Sequence, residues 1–233
     1  MQVTPLTGTA VRDLWLSLRF LSILAATLAA GLAVSLLPPP TGADPAPVLA
    51  WGITAASLLV AAIAAGSVST LRRRGAAAWL AAKAVPRGSI LVAWGVALAL
   101  PVVIGLSAAG LLGWLTLAGN QLIVVDPLAY AAVATAAGLA ALQAVAIGLL
   151  CGSFGRPGVS ASIAVILAAG LLIPGMVIVN EPPYLPTAGL GLLAALTSLA
   201  HPLADAVVSM GLGLGSLAAL LTIGAAGFVR SNL

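Results

Sequence analysis

Residues with chemically reactive side chains are few in this chain and far apart. His201 is the only histidine and Cys151 the only cysteine among 233 residues. A metal site needs several Cys, His, Asp or Glu ligands close together, and only Asp205, one helical turn beyond His201, could assist that histidine. A single cysteine also excludes a disulfide within the chain. We therefore interpret His201 as a solvated loop residue and Cys151 as a packing residue, and we predict no catalytic, cofactor-binding or metal site.

Ser153 raises a second chemical possibility, because a serine paired with a histidine can act as a nucleophile. The span assignment given below puts Ser153 and His201 on opposite sides of a bilayer, which excludes that pair. The phosphate-binding sequence G-x-x-x-x-G-K-[ST] does not occur in the chain either. We predict that the protein is not an enzyme, and that a partner subunit would bind any ATP together with its Mg²⁺.

Charged residues are rare and are concentrated in one stretch. Only 6% of the residues are charged and 62% are hydrophobic, whereas about a quarter of the residues of a soluble protein are charged. This composition predicts a membrane protein with several spans. Five of the nine basic residues lie in 71–89, LRRRGAAAWLAAKAVPRGS, between two apolar runs. Such clusters mark cytoplasmic loops, so we attribute the net charge of +4 to membrane sidedness and expect no nucleic-acid partner.

Six apolar runs are long enough to cross a bilayer, for which about 20 residues suffice. They are 20–37, 48–70, 90–118, 128–150, 159–179 and 203–229. Residues 9–19 have an amphipathic pattern and predict a helix in the membrane interface, with a water-exposed start of the first span as the alternative. The segment 184–200 is apolar but is interrupted by Pro186, Gly189 and Gly191, so it predicts a re-entrant or interfacial helical pair on the outer side.

The charges sort between the two sides that these spans define. All nine basic residues fall at the termini or in the loops 71–89 and 151–158, and four of the five acidic residues fall on the other side. A wrong number of spans would mix the two sets. We therefore predict one all-helical transmembrane domain over residues 1–233, in the plasma membrane, with both termini in the cytoplasm. No acidic residue lies deep in a span, which argues against an ion-coupled secondary transporter.

The 71–89 loop and the six-span plan resemble type-2 ABC transporter permeases. In that family the loop begins with acid–Arg–x–x–Gly–Thr, continues as a short coupling helix and ends with Pro–Val–Ser–Arg–x–x–Ile–Leu. Arg72 and Gly75 match the start, and residues 76–83 would form the coupling helix. The end of the pattern is matched by Val85, Arg87, Ile90 and Leu91. The chain departs from the pattern at Leu71, Ala76, Ala84 and Pro86.

The resemblance implies a permease subunit of an ATP-binding-cassette transporter, which moves a lipophilic or amphipathic substrate using ATP hydrolysed by a separate subunit. Its expected partners are that ATPase and a second permease subunit, identical or different. The residues expected to dock the ATPase are Arg72, Gly75, Trp79, Leu80, Lys83 and Arg87. The haem-exporter membrane subunit of cytochrome c maturation and permeases of copper-enzyme maturation are similar in plan. A non-transporting scaffold or assembly factor is the main alternative, and a secondary transporter comes third.

Overall fold

Helices make up almost all of the described chain. The computed structural model describes residues 3–36, 44–73, 87–119, 126–179 and 182–230. Its helices are α1 (Val3–Leu16), α2 (Arg19–Leu36), α3 (Ala46–Arg73), α4 (Arg87–Gly119), α5 (Pro127–Gly152), α6 (Pro157–Val177), α7 (Ala188–Ala194) and α8 (Pro202–Arg230). These described ranges contain no strand. The prediction of an all-helical protein is confirmed.

Six of these helices, all except α1 and α7, are long and apolar enough to cross a membrane. They coincide with the six predicted spans to within three residues at each end. Three of the six begin at a proline, namely Pro127 of α5, Pro157 of α6 and Pro202 of α8, at a position where a missing N–H costs nothing. The Asp126 carboxylate also caps α5 by accepting from the Leu128 amide at 3.2 Å. The chain is therefore a multi-pass membrane protein.

Charge distinguishes the two ends of the helix bundle. One, which we call the basic end, carries Arg19, Arg72, Arg73, Arg156 and Arg230; the other, the acidic end, carries Asp44, Asp126 and Asp205. Hydrogen bonds show that residues assigned to the same end lie together. Arg19 donates to the Ser67 hydroxyl at 3.2 Å at the basic end, and the Thr197 hydroxyl donates to the Asp44 carboxylate at 2.6 Å at the acidic end.

The amphipathic N-terminal segment forms a helix of its own and does not continue into the first span. α1 ends at Leu16, and Leu18 has a φ of 60° before α2 begins at Arg19. A leucine rarely adopts this left-handed conformation, and it breaks the helical path. α1 packs on α4 and α2, with Ala10 and Leu14 buried. The structure therefore shows α1 as a helix separate from the first span, and its position in the membrane interface stays a prediction.

The centre of the bundle is the crossing of α3 and α5, where small residues bring the two backbones nearly into contact. A Cβ atom added to Gly148 of α5 would lie 2.6 Å from the Ala61 carbonyl oxygen and 2.6 Å from the Ala64 Cβ of α3. One turn further, a Cβ on Gly152 would lie 2.8 Å from the Ala65 carbonyl oxygen. Small residues allow membrane helices to approach this closely, which increases their dispersion contacts.

The segment between α6 and α8 enters the bundle from the acidic end. Its deepest described contact is made by the Pro186 carbonyl oxygen, which accepts from Gln143 Nε2 at 3.1 Å. Gln143 lies about 24 Å along α5 from Pro127, at a rise of 1.5 Å per residue. The chain then returns as α7, and Thr197 in the following turn reaches Asp44 at the acidic end.

This inserted segment contains one helix, α7, and turns, where the sequence predicted a helical pair. Gly189 and Gly191 lie inside α7 and do not interrupt it. Each is instead a point of close packing. A Cβ on Gly189 would lie 2.4 Å from the Ala136 carbonyl carbon of α5, and one on Gly191 would lie 2.6 Å from the Gly175 carbonyl oxygen of α6. The glycines are thus needed for the approach of neighbouring backbones, and residues 188–193 are all buried.

Candidate functional site

The predicted ATPase-docking residues are only partly described by the structure. Gly75, Trp79, Leu80 and Lys83, with the whole predicted coupling helix 76–83, fall in 74–86, outside the described residues. Arg87 is described as the first residue of α4, and its side chain is not. Arg72 is half-buried, and its guanidinium donates to the backbone carbonyl oxygen of Ser153. That bond joins the end of α3 to the turn after α5, while the docking role itself stays a prediction.

The residues considered for other chemistry lie apart. His201 is exposed just before α8 at the acidic end, whereas Ser153 is buried just after α5 at the basic end, so the two are not a catalytic pair. Within the described ranges, no three residues of the His, Cys, Asp and Glu types form a possible metal site. Cys151 is buried in the core of the bundle, in agreement with its interpretation as a packing residue.

A cavity of about 490 Å³ lies between α4 and α5, toward the acidic end. Most of its wall is apolar, with hydroxyl groups from Ser107, Tyr130 and Thr135, and no charged side chain is among its described lining residues. Its volume falls within the range of about 300–1,000 Å³ that is typical of small-molecule sites. The sequence offered no signal for this cavity, because its residues belong to two different spans.

Glycines open the cavity and an aromatic pair closes it at the acidic end. At both Gly110 of α4 and Gly138 of α5, apart from the adjoining helix backbone, no atom of the described residues lies within 4 Å of the position a Cβ would take. The Tyr130 hydroxyl donates to the Gly110 carbonyl oxygen at 2.6 Å, and the Tyr130 and Trp114 rings have centroids 5.2 Å apart. The aromatic side chains therefore hold α4 and α5 together at this end, and the missing side chains of the two glycines leave space in the cavity wall.

A second, smaller cavity of about 220 Å³ continues along the same helices toward the basic end, where α8 joins α4 and α5. Leu142 lines both cavities. Gly95 of α4 and Leu221 of α8 lie in the wall of the smaller one. Two apolar cavities thus follow one another along the interface between α4 and α5, with the Leu142 side chain at their junction.

Gln143, next to that leucine, joins three parts of the bundle. Its side chain is fully buried, and Nε2 lies 3.1 Å from the Pro186 carbonyl oxygen, 3.1 Å from the Gly213 carbonyl oxygen and 2.7 Å from Ser216 Oγ. The amide therefore links α5, α8 and the inserted segment. Its Oε1 is buried and has no hydrogen-bond partner in the part of the chain that the structure describes. A glutamine is unusual in such an apolar span, so the sequence draws attention to Gln143. The sequence does not reveal its hydrogen-bond partners, because they are 43 to 73 positions away in the chain.

No family model matches the chain, and a search of curated proteins finds no match.

Proposed function

We propose that the protein is the membrane-spanning permease subunit of an ATP-binding-cassette transporter and moves a lipophilic or amphipathic substrate. The observation that carries this proposal is the apolar cavity of about 490 Å³ between α4 and α5. The transfer of a lipophilic molecule from lipid to such an apolar wall changes its free energy little. The molecule can therefore enter the cavity and leave it again. The hydroxyl groups of Ser107 and Thr135 suit a molecule with one polar group, since they can hydrogen-bond to it.

The energy for transport comes from a separate ATPase that docks on the 71–89 loop. That loop follows α3, and α3 lies in near backbone contact with α5 along the Gly148 and Gly152 crossing. The Arg72 to Ser153 hydrogen bond joins the same two helices at the basic end. A displacement of the loop would therefore move α3 and α5 together, and α5 is one wall of the cavity. This is a mechanical route from a docked ATPase to the substrate.

In this proposal the basic end faces the cytoplasm and the membrane is the plasma membrane. The arginines of the basic end would then be on the side where basic residues accumulate. α1 would lie in the inner interface, since Trp15 and Leu16 are exposed beside its buried face. The inserted segment from 182 to 201 would be re-entrant from outside. Its polar backbone is tolerated at that depth because protein surrounds it.

The orientation predicts a difference in labelling between the two ends. In a Cys151→Ser background, Ser198→Cys should react with a membrane-impermeant maleimide added to intact cells, and Gly158→Cys should not. Both positions are exposed, Ser198 in the turn after α7 and Gly158 in the first turn of α6. Thr187 of the inserted segment is not a suitable labelling position, because it is buried and its hydroxyl donates a hydrogen bond to the Leu171 carbonyl oxygen. Labelling of Gly158→Cys alone would reverse the proposed orientation.

The substrate role of the cavity is tested by filling it. Gly138→Phe should reduce photolabelling by a diazirine-bearing fatty alcohol at least about tenfold, because the ring takes the space that the ligand needs. Gly170→Phe is the matched control. It introduces the same side chain into α6 at an exposed glycine whose Cβ position likewise has no described atom within 4 Å beyond the adjoining helix backbone. Labelled peptides from α4 and α5 are counted by mass spectrometry.

Equal labelling of the two phenylalanine variants would show that the cavity holds no such ligand. The same pair separates a transporter from a scaffold. In the complex with its ATPase, Gly138→Phe should abolish stimulation of ATP hydrolysis by the fatty alcohol without releasing the ATPase. A scaffold that only recruits the soluble subunit would show no stimulation in the parent protein.

A further inference from the structure

A cleft at the basic end, separate from the α4–α5 cavity, is surrounded by positive charge. It has a volume of about 530 Å³ and lies between the end of α3, the turn after α5 and the start of α6. Its described wall consists of Ser69, Arg72, Arg73, Phe154, Gly155, Arg156 and Val159. The three arginines contribute three positive charges, and no acidic residue is among the lining residues described. An anion is therefore the ligand that this cleft favours.

The turn that forms the floor of the cleft is held by three helices. Arg72 of α3 donates to the Ser153 carbonyl oxygen. The Phe154 ring lies against Gly227 of α8, where an added Cβ would be 2.3 Å from the ring. A Cβ on Gly155 would lie 2.5 Å from Ser160 Oγ of α6. The turn that leads into Arg156 is thus held in place by packing, as a binding site requires.

Two further features of α6 favour an anion here. Arg156 is the N-cap residue of α6 and its side chain does not cap the helix, so its guanidinium is not engaged by the first-turn backbone. The N-terminus of a helix carries a partial positive charge and free amide groups, which bind phosphate readily. Against Gly155, a lining residue of the cleft, the Ser160 hydroxyl is buried and has no hydrogen-bond partner among the described residues. It is a polar group close to the cleft that the described part of the chain does not satisfy.

We propose that this cleft binds the phosphate group of an anionic phospholipid. Arg73 and Arg156 are exposed and would bind the phosphate, while Arg72 positions the turn. A lipid fits better than a soluble phosphate because the same wall offers apolar surface to an acyl chain. Phe154 is 64% exposed and Val159 is 56% exposed. Basic pockets between membrane helices bind lipid head groups in this way. The proposal does not depend on the transport function.

Binding is measured on the full-length, delipidated protein by native mass spectrometry and by its thermal midpoint in mild detergent. The probes are dioleoyl phosphatidylglycerol, dioleoyl phosphatidylcholine and inorganic phosphate. We expect the phosphatidylglycerol to bind at least about tenfold more tightly than the phosphatidylcholine, since about fivefold per arginine is typical of charges near a membrane surface. Millimolar inorganic phosphate should not raise the midpoint as the phosphatidylglycerol does.

The double variant Arg73→Gln, Arg156→Gln should lose this preference, with the phosphatidylglycerol bound about 25-fold more weakly. Arg12→Gln is the control, since Arg12 is an exposed arginine of α1 and does not line the cleft. If the double variant unfolds, Arg156→Gln alone should still weaken binding about fivefold. Equal binding of both lipids, an equal effect of inorganic phosphate, or an equal loss in Arg12→Gln would each overturn the proposal.

Discussion

Replacing Gly148 with valine should lower the stability of the helix bundle more than any other single substitution considered for this protein. The added Cβ would lie 2.6 Å from the Ala61 carbonyl oxygen, which belongs to a backbone and cannot rotate away. α3 and α5 would have to separate, and their neighbours pack on both. We expect a loss of about 3 kcal/mol or more, the upper range for overpacking of a core. In a chain of this length that corresponds to a thermal midpoint lower by roughly 6–12 °C.

Gly138→Val in the same helix is the matched control. It makes the identical chemical change in α5, at a position where no described residue outside the adjoining helix backbone has an atom within 4 Å of the Cβ. Any general effect of valine on a membrane helix is therefore present in both variants. Differential scanning fluorimetry in detergent measures the two midpoints. If Gly148→Val and Gly138→Val unfold at the same temperature, the close crossing of α3 and α5 does not support the bundle as described.

Replacing Trp79 with alanine should weaken the association with the ATPase by about 2 kcal/mol or more, which is roughly 30-fold in affinity. Trp79 and Leu80 are the only large apolar side chains in 76–83, which is otherwise mostly alanine. A bulky aromatic residue on such a segment is a good anchor for a pocket in a partner. The alternative is that Trp79 enters the lipid head groups, as interfacial tryptophans do. The residue lies outside the described structure.

Co-purification and ATP hydrolysis of the complex measure this effect, and the isolated permease should hydrolyse no ATP. Trp51→Ala is the control, because Trp51 is also exposed, at 49%, but lies near the acidic start of α3. It should leave the complex intact. Unchanged co-purification and hydrolysis in Trp79→Ala would remove the 71–89 loop as the coupling element. Robust ATP hydrolysis by the isolated chain would contradict the proposal that a separate subunit hydrolyses the ATP.

The spans could be read from the sequence because each depends on local information. About 20 consecutive apolar residues are needed to cross a bilayer whatever their neighbours are, and six such runs became six helices. The ends were less exact. α3 runs to Arg73, three residues past its predicted end, because a helix can continue beyond the hydrocarbon core while its backbone bonds remain available.

The inserted segment shows where local information misleads. Gly189 and Gly191 usually weaken a helix, so the sequence was interpreted as a broken pair. In the structure both glycines lie in α7, because the absence of a side chain allows the α7 backbone to pack closely against Ala136 and Gly175. A glycine can interrupt a helix or allow it to pack closely on a neighbour. Which of the two occurs depends on the residues of the facing helix, and those residues are distant in the chain.

Hydropathy and charge act through length and composition, so the six apolar helices and the separation of the charges could be predicted from the sequence. The partners of Gln143, the cavity between α4 and α5, and the meeting of Arg73 with Arg156 at one cleft became visible in the folded chain. Each of these depends on side chains from separate helices coming within a few ångströms of one another. Close packing of small residues determines those distances, and no periodicity within one span records them.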